Sequence, residues 1–131
     1  RLAWVTASGA IRAPNLGRSL AFTKQGPLTA AAGTYRWYND TGTTLSIRSV
    51  RGYVVDAPTG RNLILDVNKN GATIFTNQPN RPTIPAGGTG TGKITALDVV
   101  TVADGEYLSV DIDQVGSTNP GSDLVVQIEV A

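Results

Sequence analysis

The sequence predicts an all-β domain: an antiparallel β-sandwich, jelly-roll-like in its strand order, preceded by an irregular N-terminal arm. Composition is the first reason. Val, Ile and Thr together number 37 of 131 residues, against 5 for Glu and Lys. β-Branched residues suit a pleated, half-buried surface, whereas Glu and Lys dress helices. The second reason is the alternation of apolar and polar residues beyond residue 33, broken by turn residues every 8–12 positions, which is the pattern of sandwiches and jelly rolls. The third is that no segment carries a helical period. A chain of 131 residues makes one domain and buries roughly two-thirds of its unfolded surface, enough for a core without covalent staples.

Residues 1–33 read as an arm or attachment segment. Pro14, Gly17, Gly26, Pro27 and the run Ala30-Ala31-Ala32-Gly33 break any pattern, and only Leu20–Thr23 has the character of a short strand. The sandwich is expected over 34–131. Thr34–Tyr38 is a short aromatic strand and Asn39–Gly42 a turn cluster. Thr44–Ala57 is a long strand whose phase changes midway: Leu45 and Ile47 share one face, while Val50 and Val54 have the opposite parity. A bulge near Arg48–Val50 repairs this. After a turn at Ala57–Gly60, Asn62–Val67 is a strand with Leu63, Leu65 and Val67 on one side. Asn68–Gly71 is a hairpin loop with Gly71 at positive φ, and Ala72–Thr76 pairs back. Residues 77–92 are a polar loop and Ile94–Val102 a strand, followed by a turn at Asp104-Gly105. Leu108, Val110 and Ile112 then alternate with Tyr107, Ser109 and Asp111. The last strand turns Leu124, Val126, Ile128 and Val130 inward. Leu63–Gly71 and Leu108–Gly116 echo one another at an offset of 45 residues, as two strands in equivalent positions would.

The same composition removes most chemistry. The absence of Cys excludes disulfides, thiolate metal sites and a cysteine nucleophile. The absence of His removes the usual general base, the commonest metal ligand and every Ser-His-Asp triad. Met is missing even at position 1, as in a processed product or a piece of a longer protein. No apolar run approaches the roughly 20 residues that span a bilayer, and no signal peptide opens the chain, so no membrane insertion is expected. No cofactor, metal or catalytic residue is expected either.

Four motifs resemble sites and have plainer explanations. Gly87–Lys93 is most of a phosphate-binding P-loop, but Ile94 replaces the final Ser/Thr, a Pro-rich loop precedes it and a strand follows. A flexible loop is the expectation. Asp66-Val67-Asn68-Lys69-Asn70-Gly71 opens like a calcium loop but has Asn77 where the closing Glu belongs. A hairpin turn wants the same residues, with a weak Ca²⁺ site on Asp66, Asp111 or Asp113 as the alternative. Asp111 and Asp113 share a strand face at a separation that suits a glycosidase pair, yet no other catalytic residue type accompanies them. Asn39-Asp40-Thr41 is a glycosylation sequon that reads as a turn.

Charge is unevenly laid out. Residues 1–93 carry all 11 Lys and Arg with only three Asp, a formal +8, while 94–131 carry seven carboxylates and no base. Such a split implies an electrostatic contact, either within one chain whose halves interleave or between copies. The cations Arg1, Arg12, Arg18, Lys24, Arg36, Arg48 and Arg51 are too dispersed for a nucleic-acid domain, so no nucleic acid is expected. Among the aromatics, Tyr35 and Trp37 share a face and Tyr38 points away. One set belongs to the core, and the other is a sugar-stacking platform or an interface anchor. Trp4, isolated in the arm, reads as an anchor against a neighbour, with Arg12 and Arg18 beside it in an assembly interface.

Ala57–Thr76, Asn80–Ile84, Val102–Ser117 and Ser122–Val130, together with Tyr35–Asn39, resemble a β-sandwich domain of tailed-bacteriophage structural proteins. The resemblance covers about residues 34–131 and implies a C-terminal module of a minor tail or fibre protein, or a head-decoration protein. It implies no catalytic residues. The expectation is a non-enzymatic virion component on the capsid surface or tail, assembling with itself as a homotrimer or another symmetric oligomer and with other virion proteins. A carbohydrate-binding module that attaches a fibre to a host-surface glycan is the alternative.

Overall fold

The computed structural model describes the backbone of Trp4–Val5 and Ile11–Arg12 and the whole of residues 17–131. Eleven strands follow in order: β1 (Trp4–Val5), β2 (Ile11–Arg12), β3 (Arg18–Pro27), β4 (Trp37–Tyr38), β5 (Leu45–Asp56), β6 (Leu63–Lys69), β7 (Ala72–Thr73), β8 (Thr83–Ile84), β9 (Thr101–Val102), β10 (Tyr107–Gln114) and β11 (Ser122–Val130). β1 and β2 pair with each other. The rest form two antiparallel sheets. One runs β4-β10-β6-β7, with β8 also on β6, and the other runs β3-β11-β5-β9. The all-β sandwich expected from the composition is thus what the chain forms.

The pairing is nested. β3 pairs with β11, β4 with β10, β5 with β9, and β6 with β7 and β8. Each sheet therefore takes its middle strand from the acidic C-terminal third, β10 between β4 and β6, and β11 between β3 and β5. The two charged segments of the sequence therefore interleave within one chain.

Side-chain alternation puts the core between the sheets. In β11, Leu124, Val126, Ile128 and Val130 are buried and alternate with more exposed residues. Leu63, Leu65 and Val67 of β6 are fully buried, each worth roughly 1.5–3 kcal/mol relative to exposure. In β5 the phase change is resolved as expected. Val130 pairs with Ile47 and Glu129 with Ser49, which leaves Arg48 as the extra residue of a bulge. The β6–β7 hairpin closes through Asn70 and Gly71, at φ 52° and 85°, the two positive values that a tight turn of this hand requires. Gly52 lies where the sheets approach closely. A Cβ there would stand 2.9 Å from Leu65 Cδ1.

Three expectations need correction. The sheet begins at Arg18 rather than 34, because β3 lies within the segment read as an arm and pairs along β11 from Arg18 to Pro27. Its Ser, Ala, Thr and Gly residues gave a weak pattern; a strongly apolar partner strand recruits it. The strand expected over Ile94–Val102 shrinks to β9 and an isolated bridge between Ile94 and Val50, and that over Thr34–Tyr38 shrinks to β4. Finally, the Gly87–Lys93 stretch is not a free loop. Val54 N donates to Thr89 O (2.8 Å), Thr91 N to Gly52 O (3.0 Å) and Ile94 N to Val50 O (2.8 Å). It runs as an irregular margin along β5 and so fixes the position of Lys93.

Candidate functional site

The two echoing segments become neighbours. β6 and β10 pair so that Asp66 lies directly opposite Asp111. Two carboxylates facing each other repel, and the surrounding residues compensate. Asp66, only 6% exposed, accepts hydrogen bonds from Thr73 Oγ1 (2.6 Å) and its neighbour Val67 N (2.8 Å). Asp111 accepts from Gly33 N (2.7 Å) and Asn68 Nδ2 (2.6 Å). Asp113 is held by Arg81 at 2.7 Å. Burial raises the Asp66 carboxyl above its ordinary range; the Thr73 hydrogen bond pulls it back, and Asp113 adds repulsion. Each of these carboxylates is held by its own partners within the chain, and among the described residues no group of three or more acidic side chains is arranged to hold a metal ion.

The remaining motifs resolve as structure. In the calcium-like segment, Asp66 belongs to strand β6, and Asn70 is the hairpin residue. Its Nδ2 donates to Glu106 (2.9 Å) and its Oδ1 accepts from Tyr107 N (3.1 Å). Asn39 of the sequon is fully buried. Its amide donates to Thr43 O and Val102 O, and its Oδ1 accepts from Thr41 N two residues on, a turn built on an Asn side chain.

The acidic third turns out to be a set of loop clamps. Asp98 accepts from Asn77 N, Asp104 from Gly42 N, Asp123 from Gly26 N and Glu106 from Ala103 N. Glu106 also meets Lys69 at 3.7 Å. The backbone bond from Ala103 holds the Glu106 carboxyl below its ordinary range, with Lys69 adding to that. Lys69–Glu106 and Arg81–Asp113 are the ion pairs among the described residues, and both join the basic part of the chain to the acidic part.

The aromatic residues divide differently from their sequence parity. Trp37 packs against the core, whereas Tyr35 is 75% exposed. Tyr38 lies against Tyr107, ring centroids 5.4 Å apart, and the Arg36 guanidinium stands 4.1 Å from the Tyr107 ring and donates to Tyr38 Oη at 3.0 Å. Tyr53 is 47% exposed on the other sheet.

Two open features remain. The first is the outer edge of β3. Among the described residues no strand pairs with it, so a ten-residue strand carries backbone donors and acceptors on one free side. Beside it, between β3 and residues 29–37, run two adjoining cavities of about 230 and 440 Å³. Leu20, Phe22, Tyr35, Trp37, Val110 and Ile112 contribute to their walls. The second is an open hollow of about 630 Å³ on the outer face of β5 and β11, where Arg48, Arg51 and Lys93 converge beside Gln127 and Glu129. The arginines are three residues apart, which in a regular strand puts them on opposite faces. The bulge at Arg48 brings both to the outside. The expected bulge and the spacing of two arginines together were the sequence signal for this hollow.

Of the expected interface residues, Trp4 and Arg12 are backbone partners across the β1–β2 pair, and their side chains lie outside the described residues. Arg18 opens β3, exposed, opposite Val130. Its neighbour Gly17 lines the basic hollow. Nothing described brings Arg18 together with Trp4 or Arg12. The chain matches no protein-family model, and no curated protein is similar to it.

Proposed function

We propose that the chain is a non-enzymatic structural module that works by assembling with copies of itself, a homotrimer or another symmetric oligomer, within a bacteriophage particle as a capsid-decoration or tail-fibre component. The observation that carries the assembly reading is the outer edge of β3, which no strand pairs with among the described residues. A long strand with one unpaired side, next to an apolar groove that opens toward the core, is a surface that natural monomers cover, charge or shorten. Here it is ten residues long, with Arg18 and Lys24 as its only charges. Pairing by another strand satisfies the backbone, and the groove receives alternate side chains. The nested strand order supports a jelly roll, an architecture that recurs in viral capsid and lectin domains, and the sequence resemblance supplies the virion context.

Sedimentation velocity over a concentration series, combined with amide hydrogen exchange, tests this. A discrete oligomer with β3 amides protected only in the assembled form is expected. A strict monomer with rapidly exchanging β3 amides at every concentration contradicts it.

Attachment to a host-surface glycan is a second reading. It is favoured by the exposed Tyr35, Tyr38 and Tyr53, since sugar rings stack on such faces.

A further inference from the structure

We infer that the hollow on the outer face of β5 and β11 binds an acidic saccharide, one bearing carboxylate or sulfate groups beside free hydroxyls. This rests on the glycan reading and names the site and the ligand class. Arg48, Arg51 and Lys93 line one open hollow, and none has a carboxylate within ion-pair distance among the described residues. Three like charges held together by a bulge and by the hydrogen-bonded margin along β5 repel one another until an anion enters.

Few carboxylates are left unengaged within the chain to supply that anion from another copy. Of the ten carboxylates, only Asp40 lacks a hydrogen-bond donor within the described residues. The others are engaged by backbone amides, by Asn, Thr and Gln side chains, or by Lys69 and Arg81. Glu129 refines the class. It lines the same hollow and accepts from Gln127 Nε2 at 2.9 Å. A carboxylate repels a uniform polyanion such as a nucleic-acid backbone, but it accepts hydrogen bonds from hydroxyl groups, which a sugar has and a phosphodiester lacks. The Gln127 carbonyl offers another acceptor. Tyr53 follows Arg51 on the same strand face, its partner Val125 following Gln127. It stands about 7 Å farther along, at the distance of a neighbouring sugar ring.

The test is calorimetric titration of the full chain with four probes: a sulfated, uronate-containing tetrasaccharide, its neutral desulfated and carboxyl-reduced counterpart, inorganic sulfate, and a single-stranded DNA 12-mer. The acidic tetrasaccharide should bind more tightly than the other three and weaken as salt rises. Arg48→Ala, Arg51→Ala and Lys93→Ala should each weaken it about tenfold, as loss of a charge-assisted contact does, with unchanged circular dichroism. Glu129→Gln, which keeps an acceptor oxygen but removes the negative charge, should strengthen inorganic sulfate and DNA and so narrow the preference for the saccharide. Tighter binding of DNA, or saccharide binding indifferent to all three cation variants, overturns the assignment. Binding of the neutral tetrasaccharide, lost in Tyr38→Ala but not in Arg51→Ala, overturns this site while leaving the glycan reading standing. Binding of no saccharide removes both.

Discussion

On the outer face of β6 and β10, Asp66, Asn68, Asp111 and Asp113 each meet a donor or acceptor of the same chain. On the outer face of β5 and β11, Arg48, Arg51 and Lys93 meet no carboxylate among the described residues. Both faces are charged, both belong to sheets centred on a strand of the acidic third, and both contain a bulge, at Asp113 in one and Arg48 in the other. Their difference lies in satisfaction. A polar network closed by Thr73, Gly33 and Arg81 stabilises the sheet and offers a ligand little. The open cluster has no such partners among the described residues. In the composition split of the sequence, basic first and acidic last, the acids hold loops and the surplus cations face outward.

Breaking the core beneath both faces should have the largest effect. Ile128, fully buried in β11, is expected to cost about 2–5 kcal/mol as Ile128→Ala, read as a lower urea midpoint with unchanged m-value. The closed face should be next. Asp111→Ala strands Gly33 N and Asn68 Nδ2 and should cost about 1–3 kcal/mol.

Asp66→Asn should be smaller and of the opposite tendency. The amide oxygen still accepts from Thr73 and Val67, while the cost of burying a charge disappears, so stability at neutral pH should stay level or rise by about 1 kcal/mol. The pH dependence gives the sign. A carboxyl raised by burial binds its proton more tightly folded than unfolded, so its contribution falls as pH rises from the ordinary value of 3.8 through the folded value. Asp66→Asn should abolish that decline. Glu106 runs the other way. Held below its ordinary 4.5, it contributes stability that is present above that value and lost as pH falls through the lowered one, and Glu106→Gln should blunt that acid-side loss. Urea titrations from pH 3 to 7 read both.

The open face should respond least. Arg48→Ala and Arg51→Ala are expected to change stability by no more than about 0.5 kcal/mol. A larger loss would mean that these cations are structural after all, and the comparison between the faces would fail.

Much of the fold was legible because alternation and turns are local. The inward set of β11, the buried set of β6, the Asn70-Gly71 hairpin and the bulge at Arg48 all follow from parity and turn chemistry within about ten residues. What was not legible depends on distant partners. β3 is polar and glycine-broken and becomes a strand because β11, about a hundred residues later, pairs with it. The Gly87–Lys93 stretch has a loop composition, and the edge of β5 orders it. The basic hollow needed two local facts combined, a bulge and two arginines three apart, and a third from a distant loop, Lys93. The closed acidic network was visible only as an echo between two segments, because their antiparallel pairing sets Asp66 against Asp111.

The side of β3 that is unpaired among the described residues is the proposed assembly surface. Hydrogen exchange of Arg18–Pro27, followed while the sedimenting species is counted across a concentration series, tests it most directly. Protection that grows with the population of a discrete oligomer is the predicted result. Exchange in β3 that stays fast and independent of concentration, in a protein that sediments only as a monomer, would contradict it.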